Sequence, residues 1–522
     1  MINRITSALL ATCLAGVSMT TLAQAQETLI VDTVFQLKTA DPARAFEPTA
    51  SLFMHAVYEN LLTFTDGDTT AVKPGLADLP VISDDAKTFT FTLREGATFS
   101  DGSPVTVDDV LFSLNRAMNV KGNAAYILAG LTFTAGAEPN TVVVTTPNPD
   151  PALPARLTYP SFSIVNADVM RENGGVDTVE AAQSDTADGF LATTSLGSGP
   201  YILSKFDMAS EVVLVKNENY WGDEPAFDQI VLRNTANAAQ QMNVMRNVSQ
   251  IAIDLRPDQV GALGDDVNVI SQPGSDMGWL FLNANPEVSE VSSNPNIVEA
   301  VRYGVDFVGI QAIAGESAGR PGGIIPSIIL GTLPSEEAPV RDLERAKAAV
   351  AASGIENPTI DMAYASDIAK HGISFADIGA KVQADLAEVG ISVNLVPQPV
   401  ATNLEAYRAG ALPFSVQWWG ASFPDPVGYI PFTPGLVVGL RAGWPAGSDA
   451  KIEEISARAA VITDMAERQA VYQEFQRALN ESSPFIPLFQ PPTTLVSSKS
   501  VANVTYNPTW TVDLTEVTPA AQ

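Results

Sequence analysis

TFTFTLREGATFSDGSPVTVDDVLFSL, residues 88–114, decides the fold class. In its first part Phe89, Phe91 and Leu93 alternate with Thr88, Thr90 and Thr92, the two-residue period of a strand with one buried face. Ser100-Asp101-Gly102 turns the chain. Thr106 and Asp109 then form a capping box, with Asp in place of the usual Glu, opening a helix to about Met118 with Val110, Leu111 and Leu114 on one face. A strand followed by a capped helix in under thirty residues predicts an α/β or α+β protein.

The same alternation continues in both directions. Leu29-Ile30-Val31 is a strand, and a helix spans about Ala50 to Leu62. A short Val-rich strand covers Thr141 to Thr146. Gly197-Ser198-Gly199-Pro200 turns into the strand Tyr201-Ile202-Leu203, with Glu211 to Val215 as its hairpin partner and Ile230 to Arg233 as a third strand. Met277 to Asn283 is a strand that carries the chain toward a new lobe. A helical stretch covers about Ile297 to Ala314, and beyond it helix-strand units repeat. Asp342 caps a helix that ends at Gly354, before the strand Ile360 to Tyr364. Ser374 caps a helix with Ile378, Val382 and Leu386 at four-residue spacing; Gly390 ends it, and the strand Ile391 to Leu395 follows. Phe414 to Trp419 is another strand, helices span about Lys451 to Ile462 and Asp464 to Leu479, and Phe485 to Phe489 starts the return to the first lobe.

Composition narrows the function classes. Arg4, the apolar run from Ile5 to Met19 and Ala23-Gln24-Ala25 form a secretory leader cut after Ala25. The run is about 15 residues, short of the roughly 20 that span a bilayer. Cys13, the single cysteine of the 522 residues, lies inside it, so the mature chain has no disulfide, Cys-ligated metal or Cys nucleophile. Its sequence context only loosely fits a lipoprotein signal, the alternative to a cleaved leader. The formal charge is −30, and loss of Arg4 takes the mature chain to −31. Such a surface disfavours nucleic acid and anionic membranes, which need Lys/Arg patches. With 46% hydrophobic residues the chain can bury large cores, and its length suggests roughly three folding units. His55 and His371, the only histidines, are far apart in sequence, so no metal and no cofactor is expected.

Several blocks resemble bacterial extracellular solute-binding proteins of family 5, the dipeptide, oligopeptide and nickel type. Tyr58-Glu59-Asn60-Leu61-Leu62, Lys73-Pro74-Gly75-Leu76-Ala77, the stretch from Ile82 through Gly102, and Thr106 to Leu114 follow the family's order. So do Gly197-Ser198-Gly199-Pro200-Tyr201, Asn219-Tyr220-Trp221-Gly222 and Ala380 to Ile391. The resemblance implies a two-lobe periplasmic-binding-protein type II fold, α/β, with an extra small α+β domain in the first lobe. The first lobe takes 26–65, 190–285 and 490–522, the insert 66–189, and the second lobe 286–489. It also implies a monomeric receptor in the periplasm that captures a short peptide or peptide-like molecule and delivers it to ABC permease subunits served by separate ATPases. The alternative ligands are an opine, an amino-acid derivative or an oligosaccharide. A chaperone or sensory role on the same scaffold is a further rival.

In peptide-binding members of this family a W-x-x-D segment covers the ligand, its Asp meeting the α-ammonium. Here Trp419 matches, Ser422 stands at the Asp, and Asp425 either restores the charge or shapes the loop with Pro426. The Arg that holds the ligand carboxylate in dipeptide receptors is absent near Ala369, leaving Lys370 or His371 as a weaker anion contact. Glu47 or Thr49, after the first strand, and Tyr126 in the insert complete the candidates. Gly315-Glu316-Ser317-Ala318-Gly319 fits the G-x-S-x-G nucleophile elbow of hydrolases, but that elbow needs a strand before the Ser and a helix after it. A helical stretch precedes it and Arg320-Pro321-Gly322-Gly323 follows, so it is read as a loop.

Overall fold

Thr106 starts its helix as the sequence requires. In the computed structural model the Thr106 hydroxyl accepts from the Asp109 amide, and the Asp109 carboxylate accepts from the Thr106 amide at 2.8 Å, opening the helix Val107–Asn119. The structure describes residues 27–521 except 66, 254, 256, 316 and 371, and at 257, 258, 369 and 370 only the backbone. The leader and His371 therefore lie outside the described residues. Phe89 and Phe91 are fully buried, and their strand Thr88–Thr92 pairs antiparallel with Thr141–Thr145 in a four-stranded sheet. The helix lies between two cores. Val110 and Leu114 pack on this sheet, Phe112 points to the core of the large first sheet, and Leu111 is only half-buried.

The helix expected over 50–62 is Pro48–Val57. A tertiary contact ends it: the Val57 carbonyl, free to take an i+4 amide, instead accepts from Gly199 at 3.1 Å. The Gly-Ser-Gly-Pro turn sits so close that a Cβ on Gly197 would lie 2.0 Å from that oxygen. Tyr58 is extended, and Leu62–Thr65 pairs with Asp68–Pro74 as a hairpin. The division expected between 65 and 66 falls at that hairpin's tip.

A seven-stranded mixed sheet has the order Val267–Pro273, Pro492–Ser498, Ile251–Ala252, Thr28–Thr33, Gln229–Asn234, Glu211–Lys216, Tyr201–Asp207. A five-stranded sheet has the order Ser392–Gln398, Thr359–Ala365, Phe414–Gly420, Asp276–Leu282, Phe485–Phe489. Each is the centre of one lobe. Asp276–Leu282, assigned to the first lobe from sequence, is an interior strand of the second sheet, paired on both sides. The helical stretch 297–314 is two helices, Pro295–Gly304 and Phe307–Ala314, the second capped by Asp306. Among the described residues no helix is long and apolar enough to cross a membrane.

The chain crosses between the sheets twice, side by side. Pro273 lies opposite Pro492 at the end of the first sheet, and Gly278 opposite Phe489 begins the second. Prolines carry no amide donor, so they end the ladder there. The short connections are tied together: the Gly274 amide donates to Pro491 O at 3.0 Å, and the Gln490 side chain donates to Gly274 O at 2.7 Å.

The C-terminal segment is held to the first lobe by Asp513. A His55 ring nitrogen lies 3.0 Å from its carboxylate, and the His55 ring stacks on Trp510 at 3.7 Å. Burial pushes the Asp513 carboxyl up, but His55 and the Thr515 hydrogen bonds outweigh it and set it at about 2. A depressed carboxylate adds stability above its unfolded value of about 3.9, and that stability is lost as pH falls through about 2, here about 2–3 kcal/mol. Thermal scans from pH 5 to pH 2 should show this loss, and Asp513→Asn should flatten the curve. An equally steep curve in the variant rejects the assignment.

Candidate functional site

A cleft of about 980 Å³ opens where the two sheets meet. Its first-lobe wall comes from the ends of the seven-stranded sheet and from Pro48–Val57, through Thr33, Thr49, Val269 and Thr494. Ser275 and Asp276 line it at the crossing, and Ala314, Ser317 and Gly372 face it from the second lobe. The loop carrying Ser317 is anchored to the hinge, because Gly319 and Gln490 exchange backbone hydrogen bonds at 2.8 and 3.0 Å. The helix Phe307–Ala314 runs into this loop, so no strand delivers Ser317 as a nucleophile elbow requires.

Of the sequence candidates, Thr49 lines the cleft; it is 5% exposed and its hydroxyl accepts from the Gln36 amide. Glu47 is not among the described residues that line this cleft and is paired within the first lobe. Lys38 binds it at 2.8 Å and the Phe46 amide donates to it. Burial raises its carboxyl, yet these partners hold it below the usual range. Lys370 lies in a backbone hairpin, Ala369–Lys370 against Ile373–Ser374, whose turn residue Gly372 reaches the cleft.

The end of the strand Phe414–Gly420 and the segment after it make contacts within the second lobe and across to the insert. Trp418 and Trp419 point to opposite faces of the strand, as its two-residue period demands. Trp418 stacks on Phe375, with centroids 5.0 Å apart. Trp419 packs edge-on against Phe432 and donates its indole N–H to Gly428 O at 3.1 Å. Both rings are thus built into the second lobe. Ser422 and Tyr126 do meet: their hydroxyls are hydrogen-bonded to each other, joining the insert to the second lobe. Thr69 adds a bond to Ile328 O at 3.2 Å, and Phe423 packs with the cluster of Phe64 and Trp510.

Asp425 is 5% exposed and faces inward. Arg468 donates to both its oxygens at 2.8 and 2.9 Å, and the Val427 amide donates at 2.9 Å, capping the turn Pro426–Phe432. Of the two roles read from sequence, this geometry matches loop shaping. Its negative charge is already neutralised by a buried guanidinium.

The sequence reading did not place Asp276, Ser275 or Ser317 at a cleft, though it singled out Ser317 in a hydrolase-like motif. The usable signal was Asp276 itself, an acid opening an otherwise apolar strand, Met277 to Leu282. Among the described residues no group of three or more His, Cys, Asp or Glu could hold a metal ion.

Two lobes on a paired-strand hinge, with a cleft at the crossing, define a solute-capturing receptor. Residues 71–434 match the model for bacterial extracellular solute-binding proteins, family 5 (middle), and the chain belongs to that family. It is 26% identical over 492 residues to the probable D,D-dipeptide-binding periplasmic protein DdpA of Escherichia coli K12, covering 92% of each chain. It is also 26% identical over 519 residues to di/tripeptide-binding protein 2 of Pseudomonas aeruginosa UCBPP-PA14, covering 95% of each. Its fold is similar to that of HbpA2 from Haemophilus parasuis, with TM-score 0.83 and 21% identity over 95% of this chain and 100% of that one.

Proposed function

We propose that this chain is the exported, monomeric receptor of an ABC importer, capturing a short peptide or peptide-like small molecule between its lobes and handing it to the permease. The observation that carries the reading is the cleft. Its roughly 980 Å³ lies near the upper end of small-ligand sites, about 300–1,000 Å³. Relatives matched over more than nine-tenths of their length bind dipeptides or tripeptides, as their names state. The leader is removed after Ala25, and the protein binds without turnover. Ligand favours closure through contacts that form only when both walls meet.

Mass spectrometry of small molecules released from the purified protein tests the ligand class. A peptide or peptide derivative is expected; an oligosaccharide as the only tight ligand overturns the reading. Small-angle scattering should show a smaller radius of gyration with that ligand bound. An unchanged radius at saturation rejects the hinge mechanism. Intact mass of the periplasmic form should begin at Gln26, and incubation with ester substrates should give no product.

A further inference from the structure

We propose that residues 422–424 are a latch that holds the two lobes together before any ligand arrives, and so sets the affinity for every ligand by the same factor. This rests on the reading that ligand is captured by lobe closure. The first observation is a seam where the lobes already touch. Ser275 and Pro508 line both the cleft and a second cavity, which is also lined by Ile328, Ser422, Phe423 and Thr509. That cavity is about 10 Å³, room for at most about one water, so the seam is packed shut. The seam continues the cleft, and opening the one separates the other.

The second observation is the packing of Phe423. It follows a strand of the second sheet, yet its ring packs with Phe64, Ala155 and Trp510 of the first lobe and the insert. Among the described residues it joins neither large core of the second lobe. The shape of its loop is set within the second lobe, because the Asp425 amide donates to Phe423 O at 2.8 Å and Arg468 grips the Asp425 carboxylate. The loop thus presents an apolar ring that meets water when the lobes part and leaves it when they meet. Such burial favours the closed form whatever lies in the cleft.

The third observation is the pair of hydrogen bonds beside the ring. The Tyr126 and Ser422 hydroxyls bond to each other, and the Thr69 hydroxyl donates to Ile328 O at 3.2 Å. Water replaces both bonds when the lobes part, so they fix the register of the seam more than its strength. Among the described residues lining the cleft, Thr69, Tyr126, Ser422 and Phe423 do not appear. A contact outside the cleft does not choose between ligands. It changes only the fraction of the protein that is closed.

The distance between the lobes in the empty protein decides the matter. The chain from Gln26 onward has no cysteine, so spin labels can be placed at Val179→Cys in the insert and Val340→Cys in the second lobe, positions 72% and 67% exposed. The ligand-free protein should show a short, narrow distance distribution. Phe423→Ala should lower the closed-to-open ratio by about tenfold and lengthen the distance. Tyr126→Phe, which keeps the ring, should lower it by about two- to tenfold. Calorimetry with dialanine and with trialanine should show both affinities falling by one common factor in each variant, that of the lost closed fraction. If Phe423→Ala leaves the ligand-free distance unchanged, shortens it, or weakens one peptide and not the other, the latch is wrong. If it lengthens the distance and bound trialanine does not shorten it again, the latch stands and capture by closure fails. If neither peptide binds the wild type while Phe423→Ala still lengthens the distance, the latch stands and the peptide reading fails.

Discussion

Arg116→Met should lower the stability of the first lobe by about 3–5 kcal/mol, the cost of stranding buried carboxylates without their cation. Arg116 is 2% exposed on the helix Val107–Asn119. Its terminal nitrogens donate to both oxygens of Asp41 at 2.8 and 2.6 Å, and two further bonds reach Asp185 at 2.7 and 2.9 Å. Both carboxylates are fully buried, and Arg44 contacts them only from the rim, 28% exposed. The network joins the segment after the first strand, the helix from the insert and the loop that returns to the first lobe. Arg116→Lys should recover little, because an ammonium cannot serve two carboxylates in fork geometry. Urea unfolding of wild type and both variants measures this. An Arg116→Met midpoint within error of wild type would falsify the assignment.

The second large effect is expected at Asp425. Asp425→Ala removes the one carboxylate bound to Arg468 among the described residues; Arg468 is 2% exposed, and the change should cost the ligand-free second lobe about 3–5 kcal/mol. Asp425→Asn keeps an acceptor for the Val427 amide and should lose less. Thermal unfolding without ligand separates the two roles. A ligand contact would leave ligand-free stability untouched and change affinity alone; that outcome rejects the structural role assigned here.

Local chemistry made much of the fold legible. The capping box at Thr106, the caps Asp342 and Ser374, and Gly390, with φ of +89°, act within a few residues of themselves, so their sequence signals are complete. The alternation of Phe89 and Phe91 likewise reports one buried face whatever the partner strand is. The site was less legible. Trp419 and Asp425 are candidate ligand contacts in sequence, and their partners in the structure, Phe432 and Arg468, lie 13 and 43 residues away along the chain. Glu47, a candidate by its place after the first strand, is paired with Lys38.

The class of protein was legible through the resemblance of its blocks to family 5, and many strands and helices, with the turns and caps that delimit them, through backbone preferences and short-range hydrogen bonds. The sequence by itself did not determine where the helix after Pro48 stops or which sheet Asp276–Leu282 joins. Those depend on groups brought together from distant positions: Gly199 on the Val57 carbonyl, and Phe414–Gly420 and Phe485–Phe489 on either side of the crossing strand. Burial and charge pairing are properties of the assembled chain, so the pairing of Asp425 with Arg468 and of Asp41 with Arg116 appears only once distant segments have met.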